Sequence, residues 1–113
     1  NFMSGVLGEG GVVTVPALQM DVSTGVSGEA GTAVSFGIRP EHLTIDPKGS
    51  AFKVDMTESL GGVSYAYLQS ETGERIVVEE RGDERSRSGD IVGVSFEPNR
   101  SYVFDASSEA RLR

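Results

Sequence analysis

The sequence predicts one small all-β domain, an antiparallel sandwich or a closed barrel, and three observations carry the prediction. Apolar residues recur at every second position in run after run. The 15 glycines gather, with Ser, Asp and Pro, in short breaks between those runs. No stretch has the periodicity of a long helix, and neither strand–helix–strand alternation nor an internal repeat is present.

Taken in order, VVTVPAL at 12–18 reads as a strand in which Pro16 marks an edge or a bend. In AVSFGI at 33–38, Val34, Phe36 and Ile38 point one way and the residues between them the other. In AFKVDMTE at 51–58, Phe52, Val54 and Met56 alternate with Lys53, Asp55 and Thr57. VSYAYLQ at 63–69 and RIVVEE at 75–80 are strands by their β-branched and aromatic content. IVGVSF at 91–96 sets Val92, Val94 and Phe96 on one face, and SYVFD at 101–105 does the same with Tyr102 and Phe104. Between these runs, GEGG, TGVSGEAG, DPKGS, LGG, ETGE and RSRSGD supply the residues that tight connections require.

At 113 residues the chain has room for one core, and a domain of this size buries about 65% of its unfolded surface. Cys is absent, which removes disulfides and thiolate chemistry together and suits a reducing cytoplasm. No apolar run approaches the roughly 20 residues that span a bilayer, and no charged leader precedes an apolar stretch. Ten basic against 17 acidic residues give a net charge of −7, which disfavours phosphate backbones as partners. The first Met stands at position 3, so the chain is expected to be a piece of a longer product.

The stretch FGIRPEHLTI at 36–45 concentrates both charge signs and the sole histidine beside a proline. His42 could in principle act as a base or metal ligand, but zinc needs three or four N or S donors and no second His or Cys exists. Pro40 cannot donate to a sheet ladder and pushes Arg39 toward extended backbone, so the segment reads as a corner where a strand leaves its neighbour. Arg39 and Glu41, two apart, share a face if the chain is extended there. SLGGVS at 59–64 has some likeness to the LSGGQ signature of nucleotide-binding domains, yet the Ser–Leu order is reversed and strand-like residues follow. Gly61-Gly62 therefore reads as a hairpin turn. No GxxxxGK[ST] loop surrounds either lysine, Lys48 or Lys53. EERGDERSR at 79–87 reads as a solvated loop, its Arg-Gly-Asp tripeptide a chance match, and Arg81, Arg85 and Arg87 could dock on an acidic partner. Glu79 and Glu80, adjacent in a strand end, face opposite ways and make no acid–base pair.

As a set, NFMSG at 1–5, VSFGIRPEHL at 34–43, ESLG at 58–61, SGDIVGVSF at 88–96, SYVFD at 101–105 and the trailing SSEARL resemble one family. It is the C-terminal regulatory domain, containing the TOBE segment, of the ATP-binding subunit of bacterial ABC importers of the maltose and glycerol-3-phosphate type. The resemblance departs after ESLG, where Gly62-Val63 replaces a commonly polar residue. It implies an OB-like β-barrel, as in molybdate-binding modules, over residues 1–113. It implies a role in dimerising and regulating a transport ATPase for a sugar or sugar-like solute. This chain would hold no cofactor and no catalytic residue, with ATP and Mg bound by a preceding nucleotide-binding domain. The implied partners are a second copy, that nucleotide-binding domain and a cytoplasmic regulator, without nucleic acid or a membrane span, on the inner face of the bacterial plasma membrane. Charged residues beside rigid turns place the expected dimer or regulator contact at Arg39, Pro40, Glu41, His42, Glu58 and Gly61, with Phe2 facing either a neighbouring surface or the core. Two alternatives stand beside this reading: a free-standing oxyanion-binding module, disfavoured by the scarcity of Lys, and a single-strand nucleic-acid binder, disfavoured by the net charge.

Overall fold

The computed structural model describes residues 1–81 and 86–113; the Arg-Gly-Asp tripeptide and Arg85 involve positions outside the described residues. Eleven strands are present among the described residues: β1 (Phe2–Leu7), β2 (Val12–Val15), β3 (Met20–Ser23), β4 (Ala33–Gly37), β5 (Thr44–Asp46), β6 (Phe52–Leu60), β7 (Val63–Ser70), β8 (Arg75–Arg81), β9 (Ile91–Ser95), β10 (Tyr102–Asp105) and β11 (Arg111–Leu112). The helical elements among the described residues are three-residue 3₁₀ turns, three of them opening on a proline: Pro16–Leu18, Pro40–His42 and Pro98–Arg100. A proline opens such a turn without strain because its missing N–H has no intrahelical partner to lose.

The strands form two antiparallel sheets, six in the order β11-β10-β4-β1-β2-β3 and five in the order β5-β9-β6-β7-β8. In the five-stranded sheet β5 approaches β8 from the opposite edge, and the Pro40–His42 turn packs on β8. The architecture is all-β and antiparallel, as the alternating runs predict, and OB-like, as the family resemblance implies.

One continuous apolar core lies between the sheets. Met3, Phe36 and Val103 sit side by side across β1, β4 and β10, each at most 1% exposed. Val54, Leu68 and Ile76 form a comparable row across β6, β7 and β8. Burying each large side chain contributes roughly 1.5–3 kcal/mol, so rows of this kind fix which face of each strand turns inward.

Three elements depart from the sequence reading. The run at 12–18 is a strand only as far as Val15, because Pro16 ends the ladder and starts a turn. In β6 the register shifts between Val54 and Met56, which places Met56 on the outer face, 51% exposed, rather than in line with Phe52 and Val54. A bulge of this kind is invisible to strict alternation. In β10 the inward residue is Val103, while Tyr102 and Phe104 lie on the opposite face. Strands β1, β3 and β5 were not marked by the alternation pattern. The terminal SSEARL segment does supply a short strand, β11, paired with β10.

Two close approaches determine local geometry. Gly49 packs on Gly93 of β9 so tightly that a Cβ on Gly49 would lie 2.4 Å from the Gly93 Cα, and one on Gly93 2.9 Å from the Gly49 Cα. At the β10–β11 turn, the Asp105 carboxylate accepts the N–H groups of Ser107 (2.8 Å) and Ser108 (2.9 Å). Those backbone donors, Ser108 foremost, hold the Asp105 carboxyl below its ordinary value.

Gly93→Ala is expected to lower stability by ~1–3 kcal/mol through overpacking against backbone, whereas Gly62→Ala, with open space around its Cβ position, should leave the urea midpoint nearly unchanged. A folded pKa depressed relative to the unfolded chain stabilises above the unfolded value and loses that contribution as pH falls through the folded value. Thermal unfolding followed from neutrality to below the ordinary aspartate value of 3.8 should therefore decline less steeply in Asp105→Asn than in the parent chain.

Candidate functional site

The corner after β4 is built by three backbone constraints. The Ile38 N–H donates to the Asn1 carbonyl at 3.0 Å. Arg39 is extended (φ −75, ψ 147) as the following proline requires, and Pro40 then begins a 3₁₀ turn closed by the His42 N–H on the Arg39 carbonyl at 2.9 Å. Because the turn is 3₁₀ rather than extended, Arg39 and Glu41 do not share a face. That corrects the expectation, conditional on extended backbone, of a shared face.

The corner distributes its side chains among three environments. Arg39 is exposed, with its guanidinium carbon 5.9 Å from the centroid of the Tyr102 ring. Glu41 lines an open cleft with Leu43, Glu79, Glu80, Arg81 and Asp90. His42 is half-buried in a second cleft, its Nε2 3.5 Å from Nη1 of Arg100 and its buried Nδ1 without a hydrogen-bond partner among the described residues. Among the described residues no three His, Asp or Glu side chains converge in a way that could hold a metal ion. The carboxylates beside Glu41 are committed elsewhere: Glu79 accepts from Arg81 at 3.3 Å, and Glu80 accepts the Ser86 N–H and hydroxyl at 3.1–3.3 Å.

The β6–β7 hairpin closes as its glycine pair predicts. Leu60 pairs with Val63, and Gly61 takes φ 67 with nothing near its Cβ position. Glu58 is exposed and lies opposite Tyr65, which in turn faces Glu79 on β8. The corner and the hairpin therefore flank one strand, since the Pro40–His42 turn packs on β8 and Val63 at the hairpin base pairs with Arg81. On the outer face of this region Met56 and Leu60 are 51% and 58% exposed beside Val63, Tyr65 and Tyr67, which makes a largely apolar stripe interrupted by Glu58 on β6 and bordered on β8 by Glu79 and Arg81.

Sequence reasoning did not find Asn1. Its side-chain amide donates to the Val77 carbonyl (2.7 Å) while its Oδ1 accepts the Val77 N–H (2.9 Å). This reciprocal pair imitates one rung of a ladder on β8, the edge strand, and ties the start of β1 to the other sheet. The Asn-Phe doublet at 1–2 is the local signal that could have suggested it. The stripe was missed because a bulge exposes Met56, and the stacking of Arg39 and Arg111 on Tyr102 depends on a three-strand register no local pattern reveals. Asn1→Ala should cost ~1–2 kcal/mol and speed exchange of the Val77 amide, with amides of β2 little affected; unchanged protection at Val77 would show that the clamp adds nothing.

Comparison with known proteins places these features. The TOBE domain family model matches residues 36–104, from the core of β4 through the corner and hairpin to β10. The chain is 37% identical, over its whole length, to a lactose transport ATP-binding protein of Rhizobium radiobacter, of which it covers 34%. It is 32% identical, again over its whole length, to an oligosaccharides import ATP-binding protein of Bacillus subtilis, of which it covers 34%. Over 70% of its length it is 30% identical to an sn-glycerol-3-phosphate import ATP-binding protein of Psychromonas ingrahamii, of which it covers 24%. The chain thus spans about a third or less of the length of these relatives.

Proposed function

The chain belongs to the TOBE domain family, and from that premise we propose that it is the regulatory and self-associating domain of an ABC importer ATP-binding subunit. That subunit energises uptake of a sugar or sugar-like solute. Support comes from the relatives, whose names are those of lactose, oligosaccharide and sn-glycerol-3-phosphate import proteins. In this reading ATP and magnesium are bound by the remainder of the subunit, and this domain performs no chemistry itself. Its station is the inner face of the membrane, held there through the transporter; no helix among the described residues is long and apolar enough to cross a bilayer.

The observation that carries self-association is the apolar stripe on β6–β8. Met56 and Leu60 lie largely open to solvent in a structure whose other large apolar side chains on these strands are partly or fully buried. Grouped apolar exposure rimmed by charge is the usual mark of a contact surface. A two-fold contact would set this stripe against its copy, with Met56 and Leu60 as apolar anchors on either side of Glu58, and Glu79 and Arg81 at the rim. Glu41, Pro40 and Gly61 lie at its margin, where rigid turns hold the backbone in one shape. Exposed ion pairs at such a rim add only ~0–1 kcal/mol, so the anchors, not the charges, set affinity.

Sedimentation velocity on the intact ATP-binding subunit tests the assignment. Met56→Glu with Leu60→Glu should weaken self-association by roughly 100-fold, about tenfold per lost anchor. The far-UV spectrum should stay that of the parent, because neither side chain belongs to the core. Glu41→Arg should change the salt dependence more than the affinity. A double variant that sediments as the parent does would remove the stripe from the interface.

A further inference from the structure

The outer face of the six-stranded sheet carries a second surface of different chemistry. Phe2, Gly37 and Tyr102 are directly opposed across β1, β4 and β10. The Phe2 ring lies over Gly37, where a Cβ would meet its Cε1 at 2.9 Å, so the glycine forms a floor for the aromatic. Phe2 meets Phe104 edge to face at 5.9 Å, and Phe104 stacks on Tyr102 at 6.5 Å. Over Tyr102 lie two guanidinium groups, Arg39 at 5.9 Å and Arg111 at 4.7 Å from the ring centroid. Phe2 remains 64% exposed, the most exposed of the large apolar residues.

Neither Arg39 nor Arg111 has a salt bridge among the described residues. Asp105, the carboxylate on the same strand, is engaged by the Ser107 and Ser108 N–H groups. In a chain of net charge −7, two arginines over one ring, neither with a salt bridge among the described residues, beside an open phenylalanine form a local exception to the surface charge. A guanidinium held over a ring is attracted to the ring face without spending its N–H donors, and that planar fork of donors is what grips a carboxylate with two bonds.

We propose that this face is a docking surface for an acidic, apolar-anchored segment of another protein, with Arg39 and Arg111 receiving carboxylates and Phe2 receiving an apolar side chain. Charge complementarity selects that occupant. A single nucleic-acid strand needs successive open aromatic faces, whereas Tyr102 is covered by guanidiniums and only Phe2 is freely presented. An anionic membrane is an extended surface that would face much of a chain carrying net charge −7, whereas a short acidic segment faces only the local arginine pair within a Debye length. The surface lies on the other sheet from the stripe proposed for self-association, so either assignment can fail without the other.

The test is fluorescence anisotropy with a fluorescein-labelled peptide alternating glutamate and leucine, and a matched peptide in which glutamine replaces glutamate. The glutamate peptide should bind saturably and more weakly as salt rises, and the glutamine peptide should not. Arg39→Glu with Arg111→Glu should reduce affinity by at least about tenfold, the scale of one lost charge-assisted hydrogen bond. Phe2→Ser should reduce it several-fold at unchanged salt dependence, with the far-UV spectrum confirming an intact fold. Equal binding of both peptides, or binding that survives the double reversal, overturns the proposal. So does preferential capture of a single-stranded oligonucleotide or of phosphatidylserine vesicles. A change in sedimentation of the double-reversal variant would assign the face to a second copy instead.

Discussion

Every surface feature of this domain depends on the register of its strands. Each sheet buries one face, and side chains alternate with period two, so a slip of one residue would exchange core and surface completely. Across β1, β4 and β10 the two alternatives are neighbouring rows. Met3, Phe36 and Val103 turn inward, and Phe2, Gly37 and Tyr102 turn outward. The second row exists because the first one is buried. Burial of the inner row therefore positions the aromatic ring on which two arginines stack, and the free energy of the core sets the geometry of a surface that contributes little to it.

The corner at residues 38–42 shows how a small number of backbone restrictions can serve several surfaces at once. Pro40 ends the strand, a 3₁₀ turn replaces an extended path, and consecutive side chains are sent to different places. Arg39 goes to the outer face of one sheet, Glu41 to a cleft beside β8, and His42 toward Arg100. A rigid corner of this kind fixes the relative position of the two sheets' outer faces without requiring ion pairs. The Asn1 amide adds a second connection, between the start of β1 and the edge of β8, so the corner and the strand beginning are tied to the same edge strand.

The two outer faces offer different physical chemistry. The stripe on β6–β8 presents aliphatic and thioether surface, whose association is non-directional and grows with the area removed from water. The face around Tyr102 presents oriented cations, which are directional and sensitive to salt. A domain with one face of each kind can hold a lasting partner by the first and sense a transient one by the second. Among the described residues no three His, Asp or Glu side chains come together in a way that could hold a metal ion.

Much of this was legible in the sequence, for definite reasons. Alternation in AVSFGI and IVGVSF marked strands and their inward residues, because period two is a local property of a half-buried strand, and β-branched and aromatic content marked VSYAYLQ. The Gly61-Gly62 turn and the Pro40 corner followed from backbone restrictions that need no neighbours. Position along the chain does not determine which strands become neighbours. The bulge that exposes Met56, the choice of Val103 over Tyr102 and Phe104 for the core, and the bond between Asn1 and Val77, 76 residues apart, were settled by tertiary packing. Each depends on a pairing between distant segments, and the free energy of such a pairing resides in neither segment alone.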